Sequence, residues 1–273
     1  MSPVCRIAVV IPAHTCPCRQ VSSILPQLCP SDRLVIVFNG LANTERCKRQ
    51  IAQQPRVTWI DAGPAIGAAC ARNLGARAIK GAARALIFCD ADDQVAATWL
   101  TELAGPLLDG SADLVGGALR VRGHSTTPTI VAPAFDYWHR QALFGGNMGV
   151  AYEAWCKLRG FDESFRCCED TDLAWRANRL GFRVQVVRNA IVDIDLRSPF
   201  RELLQRFEWG RSSVRLLRRH GLPLHLLPGL KPLLLDKKTT GFAANAVIAA
   251  AGQWAGQWTG RWTARSPHIS RRD

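Results

Sequence analysis

Four short apolar runs punctuate the first part of the chain, and each is closed by a residue that favours a turn. They are Ile7–Ile11 before Pro12, Leu34–Phe38 before Asn39-Gly40, Arg56–Ile60 before Asp61, and Ala85–Cys89 before Asp90. Runs of this length, bounded in this way, read as buried strands. Helix-length segments lie between them, at about Cys18–Leu28, Thr44–Gln53 and Gly67–Lys80. This βαβαβαβ alternation predicts an open, Rossmann-like, mainly parallel α/β sheet with helices on both faces. Ligands of such sheets bind beyond the carboxyl ends of the strands, so the polar residues that close the runs are the first candidates for function.

A second stretch begins near Asp113. Leu114–Arg122 reads as a strand, Gly123–Pro133 as a polar loop, and Asn147–Val150 as another short strand. Glu153–Leu158 and Thr171–Leu180 read as helices, and Val184–Val192 as a further strand. The longest helix is expected over Pro199–His220, where Leu203, Phe207, Val214 and Leu217 recur at helical spacing. Pro223, Pro228 and Pro232 then break the chain. No internal repeat is visible. The organisation expected is therefore 1–112, 113–198 and a C-terminal helical extension over 199–273.

Composition sharpens this picture. Of 273 residues, 48% are hydrophobic, which is enough for one large α/β core or two small ones and excludes general disorder. No window of about 18 residues is free of polar positions, so no transmembrane helix is expected. The nearest candidate, Gly241–Gly260, contains Asn245, Gln253 and Gln257. The chain opens without the basic, apolar and small-residue pattern of a signal peptide. The ten cysteines are accordingly read as reduced cytoplasmic thiols. Cys16-Pro17-Cys18 and Cys167-Cys168 are the pairs worth a metal check, but neither has the C-x2-C spacing of a structural zinc site.

The net charge of +13 is unevenly spread: from Leu196 to the end there are 14 Lys/Arg against 4 Asp/Glu. Such a tail suits an anionic surface, or simply a solvated basic helix. Arg211, Arg215, Arg218 and Arg219 fall close to one helical face and could meet anionic lipid. Trp254, Trp258 and Trp262, four apart, fit either an interfacial helix or one packed on the domain.

Three clusters carry chemistry. Phe88-Cys89-Asp90-Ala91-Asp92-Asp93 places three carboxylates just past a buried strand. Crowded carboxylates repel unless a cation sits among them, and Mg2+ or Mn2+ suits such oxygen ligands with phosphates completing the shell. The same acids would also cap a following helix. Ala71-Arg72-Asn73-Leu74-Gly75-Ala76 puts an Arg on a helix that opens with Gly67, where it could reach a phosphate or a base, or lie on the surface. The third cluster joins Phe144-Gly145-Gly146-Asn147-Met148, Gly160-Phe161-Asp162-Glu163 and Glu169-Asp170. Its glycines permit close approach to a ligand, and Asp170 suits a general base or a helix cap.

Taken in order, Val10-Ile11-Pro12-Ala13-His14, Ala71 to Ala76, Phe88 to Asp93, Gly145-Gly146-Asn147-Met148 and Gly160 to Asp170 resemble a family 2 glycosyltransferase of the GT-A fold, over roughly Arg6 to His220. The resemblance implies a nucleotide-sugar-binding half over 1–112 and an acceptor-binding half over 113–198. Pro12, Ala13 and His14 would line the base pocket, Arg72 would face the nucleotide, and Asp90 with Ala91 would contact the nucleoside side. Asp92 would hold Mg2+ or Mn2+ on the diphosphate. Gly146, Asn147 and Glu169 would line the acceptor side, with Asp170 as catalytic base of a single inverting displacement. The donor implied is a UDP-, GDP- or dTDP-sugar, and the acceptor a hydroxyl, with a lipid-linked or cell-envelope acceptor suggested by the basic, Trp-bearing tail. The place implied is the cytoplasm or the cytoplasmic face of a membrane; nucleic acid is not an expected partner.

Two departures from the family pattern stand out. Phe38 occupies the position where family members usually carry a base-reading Asp, so Asn39 or Asp61 would supply that contact, or Phe38 would stack on the base. Gln205-Arg206-Phe207-Glu208-Trp209 differs from the Q-x-x-R-W of processive synthases, which argues against one. Arg206 and Arg211 would then be candidates for closing over the donor phosphates. The competing readings are a degenerate GT-A-fold binding protein and a nucleotidyltransferase. The latter needs a Gly-rich basic loop after the first strand, and His14-Thr15-Cys16-Pro17-Cys18 is not one.

Overall fold

The computed structural model describes residues 5–40, 44–51, 53–79, 83–122, 129–131, 135–137, 140–195 and 212–223. The chain divides into two compact units, Met1–Leu196 and Arg197–Asp273.

The first unit runs β1 (Cys5–Ala13), α1 (Cys18–Ile24, followed by a tight turn at Leu25–Gln27), β2 (Arg33–Phe38), α2 (Thr44–Ile51), β3 (Val57–Asp61), α3 (Ala68–Ala78) and β4 (Ala83–Cys89). There follow β5 (Gln94–Val95), α4 (Trp99–Leu108), β6 (Leu114–Arg122), β7 (Thr129–Val131), β8 (Phe135–Tyr137), β9 (Arg140–Ala142), β10 (Asn147–Ala151), α5 (Tyr152–Leu158), α6 (Glu169–Arg179) and β11 (Val184–Asp195). The main sheet has the order β3-β2-β1-β4-β10-β6-β11-β5, with β7 paired to β6, while β8 and β9 form a separate two-stranded ribbon. The pairings make β1, β2, β3, β4, β6 and β11 run one way and β5, β7 and β10 the other. The sheet is thus mainly parallel, as the strand–helix alternation predicts, with β10 inserted antiparallel between β4 and β6.

The two-residue period of the central strands builds both cores. Ile7, Val9 and Ile11 of β1, with Leu34, Ile36 and Phe38 of β2, pack on one face with Val21, Cys47, Ile51, Trp99 and Leu103 from α1, α2 and α4. Ala8, Val10, Val35, Val37, Leu86 and Phe88 face the other way, onto Ala71 and Ala76 of α3 and onto α5 and α6. A sheet buried on both faces needs near-continuous apolar strands, which is why these runs lack a polar alternation.

Three expectations change. The polar loop expected over Gly123–Pro133 is interrupted by β7, whose Thr129-Ile130-Val131 pairs with β6; β-branched residues favour this extended backbone. The helix α4 was not anticipated. The strand expected to end at Val192 continues to Asp195, pairing with β6 beyond a register shift between Val187 and Ile191. In the second unit, 212–219 is helical with Leu216 and Leu217 fully buried. The first half of the long helix expected over Pro199–His220 lies outside the described residues, as do Phe242–Trp262. Among the described residues no helix is long and apolar enough to cross a membrane.

Candidate active site

The carboxyl ends of β1, β2 and β3 form one row: Ala13 is opposite Phe38, and Phe38 is opposite Asp61. Pro12 and Ala13 are buried, and His14, the first residue beyond β1, is exposed. Asn39 accepts the Ile66 N–H at 2.7 Å through Oδ1, fixing the loop that leads to α3. Asp61 accepts from the Gly63 N–H at 3.0 Å and from Lys48 Nζ at 3.0 Å, and these contacts hold its carboxyl below the usual range. Phe38 is fully buried, tilted against Trp59 at 6.3 Å. It therefore has no face to offer a base, and the stacking alternative falls away; Asn39 and Asp61 remain at the strand ends.

The end of β4 meets the start of β10, since Asn147 pairs with Cys89. This register puts Gly146 against Asp90: a Cβ on Gly146 would lie 2.7 Å from Asp90 Oδ2, and one on Gly145 would lie 3.0 Å from Arg72 Nη1. A side chain at either position would press on the Arg72–Asp90 pair and displace it. Arg72 is buried at 3% exposure, on the second turn of α3, and donates to Asp90 Oδ1 at 2.7 Å and to Glu169 Oε1 at 2.6 Å. Neither a surface Arg nor one pointing freely at a phosphate, it clamps the acidic strand end to the first residue of α6, 97 positions away. Desolvation works against its charge, but Asp90, Glu169 and Asp170 outweigh this and secure it.

Asp170 lies beside this clamp. Its Oδ2 accepts the Gly145 N–H at 2.7 Å and its Oδ1 accepts the Thr171 N–H at 2.7 Å. Desolvation still raises its affinity for a proton, against these donors and Arg72. Burial and the neighbouring Asp170 charge push Glu169 up to about 7, opposed by Arg72. Just before it, Cys168 adopts a left-handed conformation (φ 68°) that sets the start of α6. Such backbone is uncommon for a residue with a Cβ, and strain of this kind is often concentrated at functional sites.

Asp92 is exposed, Asp93 half-buried and Ala91 buried. Among the described residues, these carboxylates do not gather three ligand atoms within 4.8 Å of one another. A divalent ion here would use one or two carboxylates and complete its shell from a phosphate, which is the habit of Mg2+ and Mn2+.

Sequence reasoning missed the polar scaffold under the site. Asn73 brackets Phe161, donating to its carbonyl at 2.9 Å and accepting its N–H at 3.0 Å, and also donates to Glu163 at 2.8 Å. Asp172 holds Arg176 at 2.7 Å, which in turn donates to the carbonyls of Leu158 and Gly160. Asn147 is fully buried; its Nδ2 donates to the carbonyls of Ala118 and Ala190, and its Oδ1 accepts from Trp99 Nε1 at 2.8 Å. These contacts commit its amide to β6, β11 and α4, so Asn147 anchors the start of β10 and, against expectation, does not present its side chain to an acceptor. Arg206 and Arg211 lie outside the described residues.

Known proteins resemble this chain in sequence and in fold. A relative from Rhizobium meliloti (strain 1021), the succinoglycan biosynthesis protein ExoA, is 24% identical over 234 residues, covering 78% of this chain and 68% of that protein. A pre-mycofactocin glycosyltransferase of Mycobacterium tuberculosis (strain ATCC 25618 / H37Rv) is 29% identical over 169 residues, 56% of this chain and 36% of that protein. The chain thus spans about a third of the mycobacterial enzyme. Among solved structures, the mannosyltransferase PcManGT from Pyrobaculum calidifontis, in complex with GDP-Man and Mn2+, shares the fold with a TM-score of 0.63 at 16% identity, covering 96% of this chain and 76% of that one. The family described as Glycosyl transferase family 2 matches residues 9–183, which span every part of the site just built, and the chain belongs to that family as a glycosyltransferase.

Proposed function

We propose that this glycosyltransferase moves a sugar from a nucleoside diphosphate to an acceptor hydroxyl with inversion at the anomeric carbon. The observation that carries the reading is the Asp90–Arg72–Glu169 clamp, which brings the acidic end of β4, the Gly145–Gly146 turn and Asp170 to one place. Donor and acceptor must meet where a leaving group and a base are both within reach, and this is such a place.

Pro12, Ala13 and His14 receive the base of a UDP-, GDP- or dTDP-sugar, with polar contacts from Asn39 and Asp61. Asp92 would hold Mg2+ or Mn2+ with the donor diphosphate, where such an ion would supply the charge neutralisation that the leaving group needs. The solved neighbour, with GDP-Man and Mn2+, supports a nucleotide-sugar donor and a divalent ion by likeness of fold. Asp90 and Ala91 lie on the nucleoside side. Arg72 offsets the charge of the half-buried Asp90 and the buried Glu169, which keeps them from repelling the donor. Asp170 takes the proton of the acceptor hydroxyl, and the desolvation that raises its proton affinity makes it a better base. Gly146 makes room for the Asp90 carboxylate and, with Glu169, borders the acceptor, while the buried Asn147 anchors the start of β10. A polysaccharide, cell-envelope or lipid-linked acceptor, met at an anionic membrane on the cytoplasmic side through the basic 196–273 segment, completes the reading. The name of the Rhizobium relative supports the first of these.

Product stereochemistry tests the displacement. With a donor the enzyme hydrolyses, the released sugar should carry the anomeric configuration opposite to the donor's when followed by NMR faster than mutarotation. Retention would overturn the single displacement and the role given to Asp170.

A further inference from the structure

Three thiols converge on the side of the sheet away from Asp170. Cys16 lies in the loop after β1, Cys18 is the first residue of α1, and Cys47 sits in the middle of α2. Their sulfur atoms all lie within 4.8 Å of one another, and Cys16 Sγ and Cys18 Sγ are 3.1 Å apart. No other trio of His, Cys, Asp or Glu converges in this way among the described residues. Pro17 is what allows two thiols one residue apart to point together: it is the residue before α1, and its carbonyl accepts the Val21 N–H at 2.8 Å, so the chain turns there into the helix. Cys47 then arrives from a different element.

We propose that Cys16, Cys18 and Cys47 form a binding site for a thiophilic d10 cation such as Zn2+, separate from the carboxylate site after β4. Zinc–sulfur bonds of about 2.3 Å place the sulfurs of a tetrahedral site about 3.8 Å apart, between the shortest separation and the outer limit seen here. The three sulfurs span the exposure a site with an entry path needs, since Cys16 is exposed, Cys18 half-buried and Cys47 buried at 5%. Gln50, one turn beyond Cys47 on α2, accepts from Cys18 Sγ at 2.9 Å and orients it from outside the trio. Three thiolates leave the fourth tetrahedral position to water or an added ligand. Occupancy would tie α1 to α2 across the loop that carries His14, and so brace the side of the sheet that faces the base.

The test uses the full chain, reduced with a phosphine and freed of metal by chelation without air. Co2+ serves as the spectroscopic stand-in for Zn2+. The expected result is a thiolate-to-cobalt charge-transfer band that saturates at one equivalent and is displaced by Zn2+. The band is lost in Cys16→Ser and in Cys47→Ser, and unchanged in Asp92→Ala and in Cys156→Ser. Cys16 is exposed, so its variant keeps the test decisive even where Cys47→Ser folds poorly. Absence of the band in the wild type, or its persistence in Cys16→Ser, would overturn the proposal. Weak d–d absorption without the thiolate band, lost in Asp92→Ala, would do the same by assigning the ion to the carboxylate site.

Discussion

Glu169 sits between a cation and an anion: Arg72 holds its Oε1 at 2.6 Å, and the next residue in the chain is Asp170. Burial and Asp170 together push it up from an ordinary 4.5 to about 7. A carboxyl whose proton is held more tightly in the folded state favours folding while it stays protonated, and that advantage is lost as pH rises through the folded value. The wild type is therefore expected to lose stability relative to Glu169→Gln as pH climbs from about 4.5 to about 7, a gap that melting temperatures of both proteins across this range measure. A gap independent of pH would contradict the assignment. Arg72 is the reason the site tolerates the buried Glu169 beside Asp170, because breaking one partner of a buried pair leaves an uncompensated charge.

At the scale of elements, α3 places that Arg by lying unusually close to the sheet. A Cβ on Gly75 would be 2.4 Å from Val10 Cγ1 and 3.1 Å from Val37 Cγ2. Gly75→Ala should force α3 off β1 and β2, costing roughly 1–3 kcal/mol by overpacking, and should reduce activity as Arg72 shifts with it. Gly105→Ala on α4, where an added Cβ meets nothing within 4 Å, is the control, expected to hold or gain about 0.5–1 kcal/mol. Urea unfolding of both variants decides, and equal stabilities would contradict close packing of α3. Elements of this central kind were legible because β1, β2 and β4 are buried on both faces and read as unbroken apolar runs. The helix α4 was not, because Gly105 and Pro106 sit inside it and its apolar residues continue into the neighbouring loops. The strands β5, β7, β8 and β9 have two or three residues each, too few to show a period. Of the site, the acids were legible as clusters at strand and helix starts. The partners of Arg72, Asn73 and Asn147 were not, since pairing across separations such as 48, 88 or 97 positions leaves no mark in local sequence. The same holds for Cys47 joining Cys16 and Cys18.

Across the whole molecule, chemistry is placed by topology. Parallel strands β1 to β4 end at one edge, and β10, running against them, returns Gly145 and Gly146 to that edge beside Asp90. The first unit thus carries both the residues proposed for the donor and Asp170, while most of the excess positive charge lies in the second unit. The most direct test is hydrolysis of UDP-, GDP- and dTDP-sugars by the full chain, with Mn2+ and with EDTA, alongside Asp92→Ala and Asp170→Asn. Asn at position 170 can still accept the Gly145 N–H, so this variant should remain folded. One donor should turn over with Mn2+, stop with EDTA and in Asp92→Ala, and fall about 10²- to 10⁴-fold in Asp170→Asn, the range for loss of a general base. Turnover that persists in EDTA and in both variants would contradict the assignment of this site to glycosyl transfer.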